Sequence, residues 1–133
     1  MTTKEYLYRI GNIDTRIKNK KNECVRWKEI AYSMTAVSEN MGKTSSNPQR
    51  MATAVEKYVD IEREEIEKLI EERKQGIETI EKLPGLYYQV IYKRYIEKKD
   101  NKTIAAECDR SKSRISEIHK EALTMIDEIM KYV

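Results

Sequence analysis

Apolar side chains recur at alternating intervals of three and four residues along much of this chain. Only four Gly and two Pro interrupt its 133 residues, so few positions can end a helix. Charged residues make up 37% of the chain, which suits long, narrow helices better than a compact globule of this length. The pattern is typical of a heptad seam and predicts an all-α fold. In the first predicted helix, Thr3–Met41, the seam consists of Ile10, Ile13, Ile17, Cys24, Trp27, Ala31 and Met34.

A second long helix is predicted over residues 48–83. The preceding residues 42–48 are rich in Gly, Ser and Thr and end in Asn-Pro, a composition typical of a turn between helices. Two long helices with a short connection are expected to fold back as an antiparallel coiled-coil hairpin, which forms a domain of residues 1–83. The stripe expected for the second helix consists of Val55, Val59, Ile66, Leu69, Ile70, Ile77 and Ile80.

The charges of the two long helices are complementary. Residues 1–50 hold 10 Lys and Arg against 5 Asp and Glu, whereas residues 51–83 hold 6 against 10. Opposite charges favour pairing of the two helices side by side. One seam rarely covers every apolar group, and Tyr6, Leu7 and Tyr58 lie partly off the stripes. A homo-oligomer formed through the coiled coil is therefore an open alternative to purely intramolecular pairing.

Residues 84–133 are predicted to form a separate three-helix module. The first helix covers residues 86–96, the second covers residues 102–108, and Ser111 begins a third that runs to about Lys131. Asp109 lies in the turn before the third helix, where Asp tolerates left-handed backbone geometry better than most residues. The apolar residues expected where the second and third helices touch, as in a helix-turn-helix, are Ile104, Ala105, Cys108, Ile115 and Ile118.

The third helix of this module carries side chains that suit the major groove of DNA. Ser111 is a good N-cap, and the positive end of the helix dipole favours phosphate oxygens. Lys and Ser can bond to base edges, and Glu can accept from cytosine N4, while other basic side chains contact phosphates. The predicted DNA-binding residues are Ser111, Lys112, Ser113, Arg114, Ser116, Glu117, Lys120 and Lys102, with His119, Lys98 and Lys99 as further phosphate contacts.

Catalysis and metal binding have little support in the sequence. His119 is the only His, and Cys24 and Cys108 are far apart at apolar helical positions, where we expect two core thiols. The chain has no Gly-rich phosphate loop and no nucleophile paired with a base. We therefore expect no enzyme, no cofactor and no metal. Without an apolar run of about 18 residues or the core of a signal peptide, a cytoplasmic protein without membrane contact is expected.

Three segments of the C-terminal module share a pattern with a known family. They are Val90-Ile91-Tyr92-Lys93-Arg94-Tyr95, Thr103-Ile104-Ala105 and Ser111-Lys112-Ser113-Arg114-Ile115-Ser116-Glu117-Ile118, followed by Ala122-Leu123. Residues 86–123, which contain them, resemble region 4 of bacterial sigma factors. The resemblance implies that the last helix reads a −35 promoter element through Lys112, Ser113, Ser116 and Glu117. Ser113 and Ser116 stand where that family usually has Glu and Arg.

Shorter strings extend a resemblance over the whole chain. They are Tyr6-Leu7-Tyr8-Arg9-Ile10, Asp14-Thr15-Arg16-Ile17 and Met51-Ala52-Thr53-Ala54-Val55. With them the chain is similar to small phage and prophage regulators of the ArpU and RinA type. This implies an activator that binds double-stranded DNA at a promoter or operator in the bacterial host cell. The alternative is an adaptor that binds RNA polymerase or another regulator without reading DNA.

Overall fold

The computed structural model describes the backbone of residues 1–41 and 48–132, and the side chains of residues 1–33 and 49–132. Every regular element in these ranges is helical and none is a strand, which confirms the all-α class. The predicted turn at residues 42–47 and the side chain of Met34 lie outside the described residues. The elements are α1 (Thr3–Met41), α2 (Pro48–Asp60), the π-helix π1 (Ile61–Ile66), α3 (Glu67–Glu81), α4 (Gly85–Ile91), the π-helix π2 (Tyr92–Ile96), α5 (Asn101–Cys108) and α6 (Lys112–Lys131).

The chain forms two compact units. The first unit contains residues 1–13 and 72–133, and the second contains residues 14–71. These bounds differ from the predicted division at residue 83, because the start of α1 and the end of α3 pack with the C-terminal helices. Among the described helices, none has the length and apolar character needed to cross a membrane.

In the second unit, α1 runs antiparallel to α2 and π1. Lys28 pairs with Glu62 at 3.1 Å, and Lys20 pairs with Glu65 at 3.4 Å. The residue earlier on α1 therefore pairs with the residue later on π1, as in antiparallel helices. The Cys24 thiol donates to the backbone oxygen of Tyr58 at 3.6 Å. The core of this unit consists of Cys24, Ile61 and Ile66, with Ile17, Trp27 and Tyr58 packed against it. The seam residues predicted on α1 from Ile10 to Ala31 are all buried or half-buried.

The stripe predicted for the second long helix is wrong at two positions. Val55 and Ile70 are exposed, at 37% and 50% of their surface, whereas Ala54 and Ile61 are buried. π1 accounts for the error at Val55, because a π-helix closes bonds five residues apart and admits an extra residue per turn, which shifts the buried face of α2 relative to that of α3. Ile61 and Ile66, five residues apart, are thereby both buried, and a regular three-four spacing cannot predict both sides of the insertion.

In the first unit, the start of α1 packs against the C-terminal helices. Leu7 is fully buried in this unit, so its position off the stripe does not mark a contact with another copy. Tyr6 is half-buried against the same cluster. Tyr58 in the second unit is likewise packed intramolecularly. The cluster of the first unit consists of Leu7, Ile80, Leu83, Ile91, Tyr95, Ala122 and Ile126.

Candidate nucleic-acid interface

The turn between α5 and α6 is held by hydrogen bonds at both ends of α5. The Asp100 carboxylate accepts from the Thr103 backbone N–H at 2.8 Å, and this bond lowers the pKa of Asp100. Asp109 adopts the left-handed conformation predicted for it, with φ 54° and ψ 51°. The next N–H, of Arg110, returns to the carbonyl of Ala105 at 3.0 Å. These bonds satisfy helix-end groups that would otherwise need water.

Ser111 caps the start of α6, as predicted. Its hydroxyl oxygen accepts from the Arg114 backbone N–H at 3.1 Å, and its backbone is extended. Lys112 is consequently the first helical residue. The cap fixes which side chains stand at the positive end of the helix dipole.

A small apolar cluster fixes the orientation of α6 against α5. All five predicted contact positions are buried in it, and the Ile115 and Ile118 side chains are almost completely enclosed. Because these two side chains point inward, Ser116 and Glu117, which lie between them, point to solvent. The cluster consists of Val90, Ile104, Ala105, Cys108, Ile115 and Ile118.

The outer face of α6 presents the predicted base-reading side chains. At 3.6 residues per turn, residues 112, 113, 116, 117 and 120 span an arc of about 140°. Polar and basic groups occupy this arc, while the apolar face opposite is buried. All eight predicted residues are exposed: Ser111, Lys112, Ser113, Arg114, Ser116, Glu117, Lys120 on α6 and its cap, and Lys102 on α5.

Arg114 is engaged along its own helix. Its Nη1 lies 3.1 Å from Glu117 and 3.9 Å from Glu121. The Tyr87 hydroxyl also donates to Glu121, at 2.6 Å, and this bond raises the pKa of Tyr87. A phosphate that binds Arg114 must therefore compete with two carboxylates. The same pairing compensates part of the negative charge of Glu117 on a face that would meet DNA.

The lysines around this face differ in their availability. Lys102, Lys112 and Lys120 form no ion pair with any described residue. Lys99, by contrast, is bonded to Glu97 at 2.8 Å and to Glu107 at 2.7 Å. The bonds from Lys99 and Lys93 hold the pKa of Glu107 below its usual value. Lys102, Lys112 and Lys120 are thus not held by a carboxylate of the described chain, whereas Lys99 is.

His119 lies in the core, so its prediction as a surface or phosphate-binding residue is wrong. It is 9% exposed, and its Nε2 lies 2.6 Å from the Tyr95 hydroxyl. The two rings are stacked with centroids 5.7 Å apart. Burial lowers the pKa of His119 to about 4, with smaller contributions from the charges of Arg94 and Lys4. The sequence did contain a sign of this burial: His119 follows Ile115 by four residues, so both side chains lie on the same face of α6.

A depression of about 500 Å³ lies beside the amino end of α5. Sequence reasoning missed it because α1 supplies part of its wall. Arg94 donates to the Asn101 side-chain oxygen at 2.5 Å on one side of it. Lys98, at its rim, has a positive φ of 59°. The depression is lined by Tyr8, Asn12, Arg94, Tyr95, Lys98, Lys99, Asp100 and Asn101.

The described residues contain no group of three or more His, Cys, Asp or Glu arranged to hold a metal ion. Cys24 and Cys108 are buried free thiols, in agreement with their prediction as core residues. Neither a protein-family model, nor a curated protein, nor a solved structure matches this chain.

Proposed function

We propose that this chain is a sequence-specific DNA-binding transcription regulator, with α5 and α6 as a helix-turn-helix. One observation carries the proposal: the capped amino end of α6 exposes Lys112, Ser113 and Ser116 to solvent, while Ile115 and Ile118 of the same helix are buried against α5. A helix held in this way from behind can enter a major groove about 12 Å wide without disturbing its own core.

The roles within the interface follow from position and charge. Ser113 and Ser116 bond to base edges, and Glu117 accepts from cytosine N4 while Arg114 partly balances its charge. Lys112 stands at the first helical position, where it reaches either a guanine or a phosphate. Lys102 and Lys120 contact phosphates on either side, since neither is tied to a carboxylate in the described chain.

The wider proposal is a phage or prophage gene activator acting at a promoter. It rests on the resemblance of residues 86–123 to sigma region 4 and of the whole chain to the ArpU and RinA regulators. In this proposal α1 pairs with α2 and α3 as a coiled-coil hairpin. The hairpin joins copies of the chain or contacts RNA polymerase while α6 selects the promoter.

Selection from a pool of randomised DNA duplexes tests the proposal. We expect the purified full chain to enrich one motif, because direct base contacts discriminate by about 1–3 kcal/mol each. Ser116→Ala is expected to relax the preference at one position of that motif without loss of folding. Lys68→Ala, which changes an exposed side chain in the second unit, serves as the control and should enrich the original motif.

The adaptor alternative gives a different result in the same selection. If the folded chain enriches no motif yet captures purified RNA polymerase, its working surface is a protein interface and the DNA-binding proposal is wrong.

A further inference from the structure

The second unit exposes large apolar side chains on both of its long helices. On α1, Val25 is 52% exposed and Tyr32 is 77% exposed. On the opposing helical stretch, Val55 is 37% exposed and Ile70 is 50% exposed. Apolar groups that gather on one side of a protein often mark an interaction surface.

These side chains share one flank of the helix pair. Val25 and Tyr32 directly follow the buried Cys24 and Ala31, and Val55 directly follows the buried Ala54. In an antiparallel pair of right-handed helices, the residue after each core position projects to the same side of both helices. The Lys28–Glu62 ion pair bridges that side, since Glu62 directly follows the buried Ile61.

The opposite flank of the unit is polar. Its depression, of about 430 Å³, has charged residues over most of its wall. Lys20 pairs across it with Glu65. Exposed apolar surface is therefore concentrated on one flank, where a partner gains most by covering it. The charged wall residues of the polar flank are Lys20, Glu23, Lys57, Asp60, Glu64 and Glu65.

Charge selects the occupant of the apolar flank. Lys18, which follows half-buried Ile17, puts positive charge on the α1 side, and Glu67, which follows buried Ile66, puts negative charge on the other. Neither is in an ion pair with a described residue. If α1 of one copy packed on α1 of a second copy, like charges would face each other. If α1 packed on α2, π1 and α3 of the second copy, opposite charges would face each other.

We propose that this flank binds a second copy of the chain, with α1 of each copy lying on α2, π1 and α3 of the other. Within one copy, Lys20 is level with Glu65 and Lys28 with Glu62. A two-fold axis parallel to the helices keeps that register between copies. It therefore places Lys18 level with the partner's Glu67, and Tyr32 level with the partner's Val55. The inference deepens the first of the two roles proposed for the hairpin, and it holds whether or not the chain binds DNA.

Sedimentation equilibrium of the full chain tests the dimer, with Tyr32→Glu as the disrupting variant. This side chain is mostly exposed, so the helix is retained, and circular dichroism checks that retention. We expect a monomer–dimer equilibrium in the native chain and at least a tenfold weaker dimer in Tyr32→Glu. Asn19→Glu, which puts the same added charge on another face of α1, should leave the dimer unchanged.

Charge reversal tests the arrangement within the dimer. Lys18→Glu and Glu67→Lys should each weaken self-association, because each opposes like charges at both symmetric contacts. An equimolar mixture should form a heterodimer as stable as the native dimer, because all four charges are then paired with opposites. A native chain that stays monomeric, an unaffected Tyr32→Glu dimer, or a mixture that fails to associate would overturn the proposal.

Discussion

At Gly11 the backbone of α1 lies close to the backbone of π2 in the first unit. A Cβ atom built there lies 2.0 Å from the backbone oxygen of Tyr95. Backbone cannot move aside as a flexible side chain can, so any larger residue separates the two elements. Gly76 has a related role, since a Cβ there lies 2.5 Å from the Ile10 side chain. Because neither glycine has a Cβ atom, both allow close packing of their helices, although glycine lowers helix propensity.

Gly11→Ala is expected to lower the free energy of unfolding by about 2 kcal/mol or more. The steric conflict with Tyr95 exceeds the gain of about 1 kcal/mol in helix propensity. Urea denaturation followed by circular dichroism measures the change. Asn12→Ala, at the next and exposed position, should change the free energy by about 0.5 kcal/mol at most. Equal stability of native chain and Gly11→Ala would contradict the close contact.

His119 makes stability depend on pH. Its pKa falls from 6.5 to about 4 on folding, so the unfolded chain binds more protons between these values. Stability from this group is complete above pH 6.5 and is lost progressively as the pH falls toward 4. The full effect is roughly 3 kcal/mol for a group this well buried. We expect His119→Phe to show a smaller loss of stability between pH 7 and pH 5 than the native chain. If the stability of both proteins falls equally between pH 7 and pH 5, His119 is not the cause of the pH dependence.

The sequence predicted individual core residues well where they follow helical spacing. Ile115 and Ile118 were placed correctly because the three-four spacing of α6 is regular, and Ile104 was placed correctly because Ile104 and Cys108 lie four residues apart on one face of α5. His119 was misplaced because a polar residue was assigned to the surface by type, although its spacing fits the buried face. Its partner, the Tyr95 hydroxyl, is distant in sequence and so gave no local signal.

At the scale of elements, the ends of α5 and α6 follow from local side chains. Ser111, Asp100 and Asp109 each satisfy or permit a helix end within three residues of themselves. Such short-range chemistry can be read from sequence. The π-helix π1 could not be predicted from the sequence, because no pattern of residue types marks its five-residue hydrogen-bonded step. Val55 consequently fits a three-four spacing extended back from Ile66, yet its side chain is exposed.

Ser111→Ala is expected to destabilise the chain by about 1 kcal/mol through loss of the α6 cap. Thermal unfolding compared with the native chain measures it. Ser113→Ala is a matched control, because Ser113 is exposed inside the first turn of α6 and caps nothing. Ser111→Asp should keep most of the stability, as Asp is an equally good N-cap. If both alanine variants behave alike, the cap is not the source of the stability.

At the scale of the molecule, the first unit is built from both ends of the chain. Leu7 and Ile80 share a cluster with Tyr95 and Ile126, although long stretches of sequence separate them. Spacing along one helix cannot reveal such contacts, which is why the predicted division at residue 83 differs from the unit boundaries. The exposed side chains of the candidate interface, by contrast, all belong to residues 102–120, so their exposure could be predicted from local helical spacing.

A fragment of residues 84–133 is expected to fold poorly by itself. It lacks Leu7 and Ile80, so Tyr95, Ala122 and Ile126 would face water in the isolated piece. We expect no cooperative thermal transition in the fragment and a cooperative transition in the full chain. A fragment that melts as sharply as the full chain would show that residues 84–133 form an independent domain.

The most direct test of the central claim is the salt dependence of DNA binding, measured by fluorescence anisotropy on the enriched duplex. We predict that Lys112→Ala and Lys120→Ala each weaken binding. Removal of a lysine that contacts a phosphate should also reduce the slope of log K against log salt concentration by about one. Lys68→Ala should match the native chain. Equal Kd and equal slope in all four folded proteins would contradict the assignment of the exposed face of α6 as the DNA-binding surface.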